Sequence, residues 1–183
     1  MLIVIWRDQS TGYAILPTSS HTPDVTIALK VLSIPGPAGG EWAHLREEGL
    51  KEAVADCPGL NLVEGPVGGA VSISYGLSQA SDLLQRNPDA KFIFTPQVSL
   101  GMGAAQAVKQ RHLDVGVVTS TLVKKSFPLL EDGSLLANST EPSILMGRLI
   151  VQYTIRKAEG LPMPNLQQTK SAPYPTLIVK WTP

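Results

Sequence analysis

The 183 residues are 43% hydrophobic and 16% charged, which places the chain among globular proteins long enough to close one real core. Fifteen basic residues balance fifteen acidic ones, so the electrostatic footprint of a nucleic-acid or anionic-membrane binder is missing. The single cysteine, Cys57, excludes an internal disulfide and any multi-cysteine metal site, and no run approaches the ~18 apolar residues of a membrane span.

The opening MLIVIWRDQS has no basic n-region and no small-residue cleavage site, so it is not expected to act as a signal peptide. Leu2 to Trp6 and Tyr13 to Leu16 read as strands joined by a turn at Gln9 to Gly12, and Pro17 to Asp24 as loop. Leu29 to Ile34 is a short apolar run, the pattern of a strand buried on both faces of a parallel sheet. Pro35 to Gly40 is rich in glycine and proline and can form neither helix nor ladder. Beyond it Trp42, Leu45, Gly49, Ala53, Val54 and Cys57 recur at spacings of three and four, predicting a helix over about 41–56 that ends at Pro58-Gly59.

The same rhythm continues. Leu60 to Val63 reads as a strand and Gly65 to Ala70 as a second glycine-rich loop; Ile73, Leu77, Ala80 and Leu84 mark a helix closed by Asn87-Pro88. Lys91 to Thr95 is the next strand, followed by a helix capped by Ser99 with Leu100, Ala104, Ala107 and Val108 on one face. Val115 to Thr119 is a strand, Val123 to Leu130 a weaker helical segment, Leu135 to Ala137 a short strand, and Glu141 to Glu159 the longest helix. A tail rich in Pro and Gln spans Met163 to Pro175, and Thr176 to Trp181 returns as a strand. Strand and helix alternating at this pitch predict an α/β fold with a doubly wound parallel sheet and right-handed crossovers, without a second domain.

No catalytic constellation stands out. Gly101-Met102-Gly103 begins like a dinucleotide fingerprint but lacks the third glycine and lies inside a helix, which points to close helix packing. Loop 36–40 lacks the Gly-Lys-Ser/Thr ending of a phosphate cradle, so no cofactor is expected. His21, His44 and His112 have no i,i+4 partner for zinc, and Cys57 reads as a small buried hydrophobe. Glu47, Glu48, Asp82 and Asp89 are expected on exposed helix faces or turns. What remains is a set of groups at strand ends, where open α/β sheets bind ligands: Glu41, Trp42, Gln97, Thr119, Ser120, Thr121 and Glu141. Trp42 shares its helix's apolar stripe, so it suits either the core or a ligand wall, where it could stack on an apolar face or hold a methylated cationic nitrogen.

Three runs, KVLSIPGPAGGEWAHLREEGLKEA, DLLQRNPDAKFIFTPQVSLGMGAAQAV and EDGSLLANSTEPSILMGRLIVQYTIRKAEGLP, resemble the C-terminal lobe of type 1 periplasmic binding proteins. The resemblance covers residues 28–183 and leaves residues 1–27 as an atypical segment. It implies one lobe of a two-lobed protein, with a periplasmic parent and no enzymatic activity. The sugar-reading Asn-Asp pair of the wider family is here Gln97-Val98, and the aspartate after the fourth strand is replaced by Thr119–Thr121. The PGPAGGEW loop, Met146-Gly147-Arg148-Leu149 and PYPTLIVKW are most similar to the TorT-like branch, which senses trimethylamine N-oxide and signals to a sensor histidine kinase. The resemblance therefore implies a small-molecule ligand held by Glu41, Trp42, Gln97, Ser120 and Glu141, with the periplasmic domain of a sensor kinase as partner. Two alternatives are a sugar-binding component serving an ABC permease, and the effector lobe of a LacI-type repressor, which would carry a helix-turn-helix upstream.

Overall fold

The computed structural model describes residues 2–5, 14–17, 29–55, 57, 59–141, 143–163 and 178–179. The turn expected at Gln9–Gly12, the loop from 18 to 24 and the tail from 164 to 175 lie outside them. Strands β1 (Leu2–Ile5) and β2 (Ala14–Pro17) form an antiparallel pair. A six-stranded sheet then holds β3 (Leu29–Ser33), β4 (Leu60–Glu64), β5 (Ala90–Thr95), β6 (Gly116–Ser120), β7 (Ala137–Ser139) and β8 (Ile178–Val179). Its order is β4-β3-β5-β6-β7-β8; the first five strands run parallel and β8 is antiparallel to β7. The chain leaves β3 to one side through α1 (Glu41–Ala55), then crosses back through α2 (Ile73–Arg86) to β5 on the other side. That reversal puts a topological switch point between β3 and β5, where a crevice opens beyond the strands' carboxyl ends.

Both faces of the sheet are covered, which is why its strands read as unbroken apolar runs. Leu32, Ile34, Ile93 and Val117 face α2, α3 (Val98–Gln110) and α4 (Phe127–Glu131), meeting Ala80, Leu83, Ala104 and Leu130. Phe94, Val118 and Ala137 point the other way, against Leu50, Ala53 and Val54 of α1. The last helix, α5 (Ser143–Ala158), differs from the rest, because none of its residues is buried. No helix among the described residues is long and apolar enough to cross a membrane.

Two local expectations are corrected. Helix α3 is capped by Gln97, whose side-chain oxygen accepts the Ser99 N–H, so Ser99 lies inside the first turn instead of capping it. Strand β7 is Ala137–Ser139, two residues later than Leu135–Ala137. Polar Asn138 and Ser139 look like loop, yet both are buried, and Asn138 Nδ2 donates to Ser126 Oγ at 3.2 Å.

Helix α3 ends in a Schellman arrangement: Leu113 N donates to Val108 O (3.1 Å) and His112 N to Lys109 O (3.2 Å), with His112 at φ +53°. A left-handed non-glycine residue is strained there, so His112→Gly should stabilise the fold by about 1 kcal/mol. Urea unfolding should show the midpoint rising, and a fall would mean that the imidazole makes a compensating contact.

Candidate functional site

Four elements converge at the switch point. Trp42, in the first turn of α1, is 37% exposed, so it is not a core residue as its place on the apolar stripe allowed. One turn on, Arg46 is only 9% exposed, and its guanidinium lies 5.1 Å from the Trp42 ring centroid. Arg46 Nη1 donates to the Pro96 carbonyl (2.7 Å), just past β5, and approaches Thr121 Oγ1 (3.4 Å), just past β6. Arg46 Nη2 forms an ion pair with Glu141, between β7 and α5. Ser120 Oγ donates to the same Pro96 carbonyl at 2.6 Å. Beneath them Thr95 Oγ1 lies 2.8 Å from Thr119 Oγ1. Thr121 itself sits at φ +70°, a costly backbone for a β-branched residue and one that clusters at functional sites.

Of the five candidate residues, Trp42, Ser120 and Glu141 are thus brought together, through Arg46 and Pro96. Gln97 is adjacent in the chain but spends its side-chain oxygen on the α3 cap. Glu41 turns away, onto the opposite flank of α1. Arg46, the hub, was missed because an arginine beside two glutamates reads as a solvated helix face. The available signal was its i,i+4 spacing from Trp42, which stacks a cation over an aromatic ring. The arrangement is charge-neutral and offers donors, acceptors and a half-exposed aromatic ring on one rim.

On the other flank of α1, loop 35–40, α1 and the end of β4 enclose a cavity of about 490 Å³. Glu41, Glu47, Glu48 and Glu64 line it, together with Lys51 and His44. Glu47 was expected in solvent but is 4% exposed, with its two carboxylate oxygens 2.6 and 2.7 Å from Ser33 Oγ. It lies on the side of α1 that faces the sheet, and burial pushes its carboxyl above the usual glutamate range, partly opposed by the Ser33 hydrogen bond. Among the described residues no group of three or more His, Cys, Asp or Glu side chains is placed to hold a metal ion.

Comparison with known proteins adds a lineage to this geometry. A family described as periplasmic binding protein domain matches residues 18–162. A sugar ABC transport system substrate-binding protein from Bordetella parapertussis is 46% identical, with a TM-score of 0.71 over 75% of this chain and 43% of its own. An ABC transporter solute-binding protein from Mycobacterium smegmatis with bound glycerol is 28% identical, with a TM-score of 0.69 over 76% of this chain and 49% of its own. A third, from Agrobacterium vitis with bound D-fucose, shares the fold at 22% identity and a TM-score of 0.69, over 76% of this chain and 48% of its own. The chain therefore spans less than half the length of each of these proteins. No curated protein matches it.

Proposed function

Because the chain belongs to the periplasmic binding protein domain family, we propose that it is one ligand-binding lobe of a periplasmic protein that captures a sugar or similar neutral polyol for an ABC permease. The observation that carries this reading is the knot of Trp42, Arg46, Ser120 and Glu141 around the Pro96 carbonyl at the sheet's switch point. A guanidinium and a carboxylate held side by side offer a donor and an acceptor to adjacent hydroxyls, and the ring offers a wall for a sugar's apolar face. The 46% identity to a protein described as a sugar transport component supports the same class. The trimethylamine N-oxide reading, with its sensor-kinase partner, fits less well. Arg46 already sets a cation 5.1 Å from the ring that would have to hold a methylated cationic nitrogen.

Titration of the chain with D-ribose, D-fucose and trimethylamine N-oxide, followed by tryptophan fluorescence and calorimetry, tests this reading. A sugar should bind saturably and the N-oxide should not; the reverse result would return the chain to the sensing branch. Covering about 60 Å² of the Trp42 ring at about 25 cal/mol per Å² is worth about 1.5 kcal/mol, so Trp42→Ala should weaken the sugar roughly tenfold. An unchanged affinity would remove Trp42 from the site.

A further inference from the structure

We propose that Asn138 is a positioning residue for the sugar site, holding through Ser126 the loop that sets Thr121 against Arg46. Its ligand is the one proposed above, so the role rests on that reading and carries the site into β7. Asn138 is fully buried, and its Nδ2 donates to Ser126 Oγ at 3.2 Å. The single hydrogen of Ser126 Oγ goes to the Val123 carbonyl at 2.8 Å, so this hydroxyl can only accept from Asn138. That fixes the amide with Nδ2 toward the loop and leaves Oδ1 without a hydrogen-bond partner among the described residues. A buried acceptor without a donor costs free energy, and an apolar side chain of the same shape avoids that cost. Asparagine is therefore a poor choice here for stability, and what its donor end contributes is placement.

The placement reaches the ligand rim through a closed ring. Ser126 clasps its own loop, with Val123 N 3.4 Å from Ser126 Oγ, and is tied to Asn138. Nearer β6, Leu122 N donates to the Ser139 carbonyl at 3.1 Å. At the head of the loop Thr121 Oγ1 accepts from Arg46 Nη1 at 3.4 Å. Arg46 in turn pairs with Glu141, on the stretch of chain that leaves β7. The β7 segment thus holds both ends of the ring, Asn138 on the loop side and Glu141 on the guanidinium side. Thr121 shows that the loop is under load, since φ +70° in a β-branched residue persists only where its surroundings over-determine it. With the Asn138 tie cut, Thr121 relaxes and takes with it one of the acceptors that hold the Arg46 guanidinium. Asn138 itself touches no ligand: Ala137 packs toward α1, and the next residue of a strand faces the other side of the sheet.

The test compares the full 183-residue chain with Asn138→Leu, a side chain of the same branching. In ¹H–¹⁵N spectra without ligand the Thr121 amide and the Arg46 Nε–H should be displaced and the Leu122 amide should exchange faster, while the urea midpoint stays or rises. Affinity for D-fucose should fall about fivefold, roughly the worth of one hydrogen bond. Ser126→Ala should give the same displacements and the same loss, and the double variant no more than either alone, because both cut one tie. Should Asn138→Leu fail to fold, Ser126→Ala decides the matter. Unmoved Thr121 and Arg46 signals in a folded variant, a lowered midpoint with unchanged affinity, or losses that add in the double variant would each overturn the proposal. If the unaltered chain binds no sugar, the sugar reading fails by itself, and the ligand-free spectra still decide whether Asn138 holds Thr121 and Arg46 in place.

Discussion

Arg46→Met should lower the unfolding free energy by about 3 kcal/mol and abolish ligand binding. Removing one partner of a buried ion pair typically costs 3–5 kcal/mol, because the other charge is stranded. The low end applies here, since the Glu141 side chain keeps 26% of its surface in water. The Pro96 carbonyl contributes little to the loss, because Ser120 Oγ still donates to it at 2.6 Å. The stranded carboxylate is therefore the main cost, and that makes the prediction specific. Adding Glu141→Gln to Arg46→Met should recover most of the lost stability in urea unfolding, without restoring affinity. If the double variant is as unstable as the single one, the cost lies in packing around the guanidinium and the ion pair is incidental.

Gly103→Ala should be at least as damaging, for a different reason. A Cβ at Gly103 would come 2.5 Å from the Leu77 backbone nitrogen and press on the Ile73 carbonyl. A Cβ at Gly76, facing it, would come 2.8 Å from the Leu100 Cα. Helices α2 and α3 thus cross backbone to backbone, and a backbone cannot swing aside as a side chain can. Overpacking costs about 1–3 kcal/mol where side chains can yield, and here about 3 kcal/mol or more outweighs the ~1 kcal/mol that alanine gains over glycine in a helix. Gly147→Ala is the control: nothing lies within 4 Å of its Cβ in α5, so it should gain up to about 1 kcal/mol. Thermal unfolding of the two variants should therefore move in opposite directions. Equal shifts would mean that α2 and α3 separate readily.

These two cases show what could be read from residue order and what could not. Period and punctuation are local, so the strand–loop–helix unit at 29–55 was legible, as was the need for close packing at Gly101-Met102-Gly103. Side-chain partners from distant strands are not local. Arg46 meets Pro96, Thr121 and Glu141 across as many as 94 intervening positions of chain, and nothing in REEG announces it. The same holds for Glu47, which looks solvated by its charge yet is covered because its side of α1 faces Ser33 on the sheet. Strand β7 begins two residues later than its apolar content marks it, because it includes buried polar Asn138, whose Nδ2 donates to a Ser126 hydroxyl that only the fold brings to it.

Helix α5 carries one more consequence. Ile144, Leu145, Met146, Ile150, Val151 and Ile155 are each at least half exposed, so the sixteen residues owe their shape to their own ladder of hydrogen bonds. A lone helix of that length is marginal in water. The amides of α5 should exchange with deuterium in a fast phase of their own, while those of β3, β5 and β6 wait for global opening.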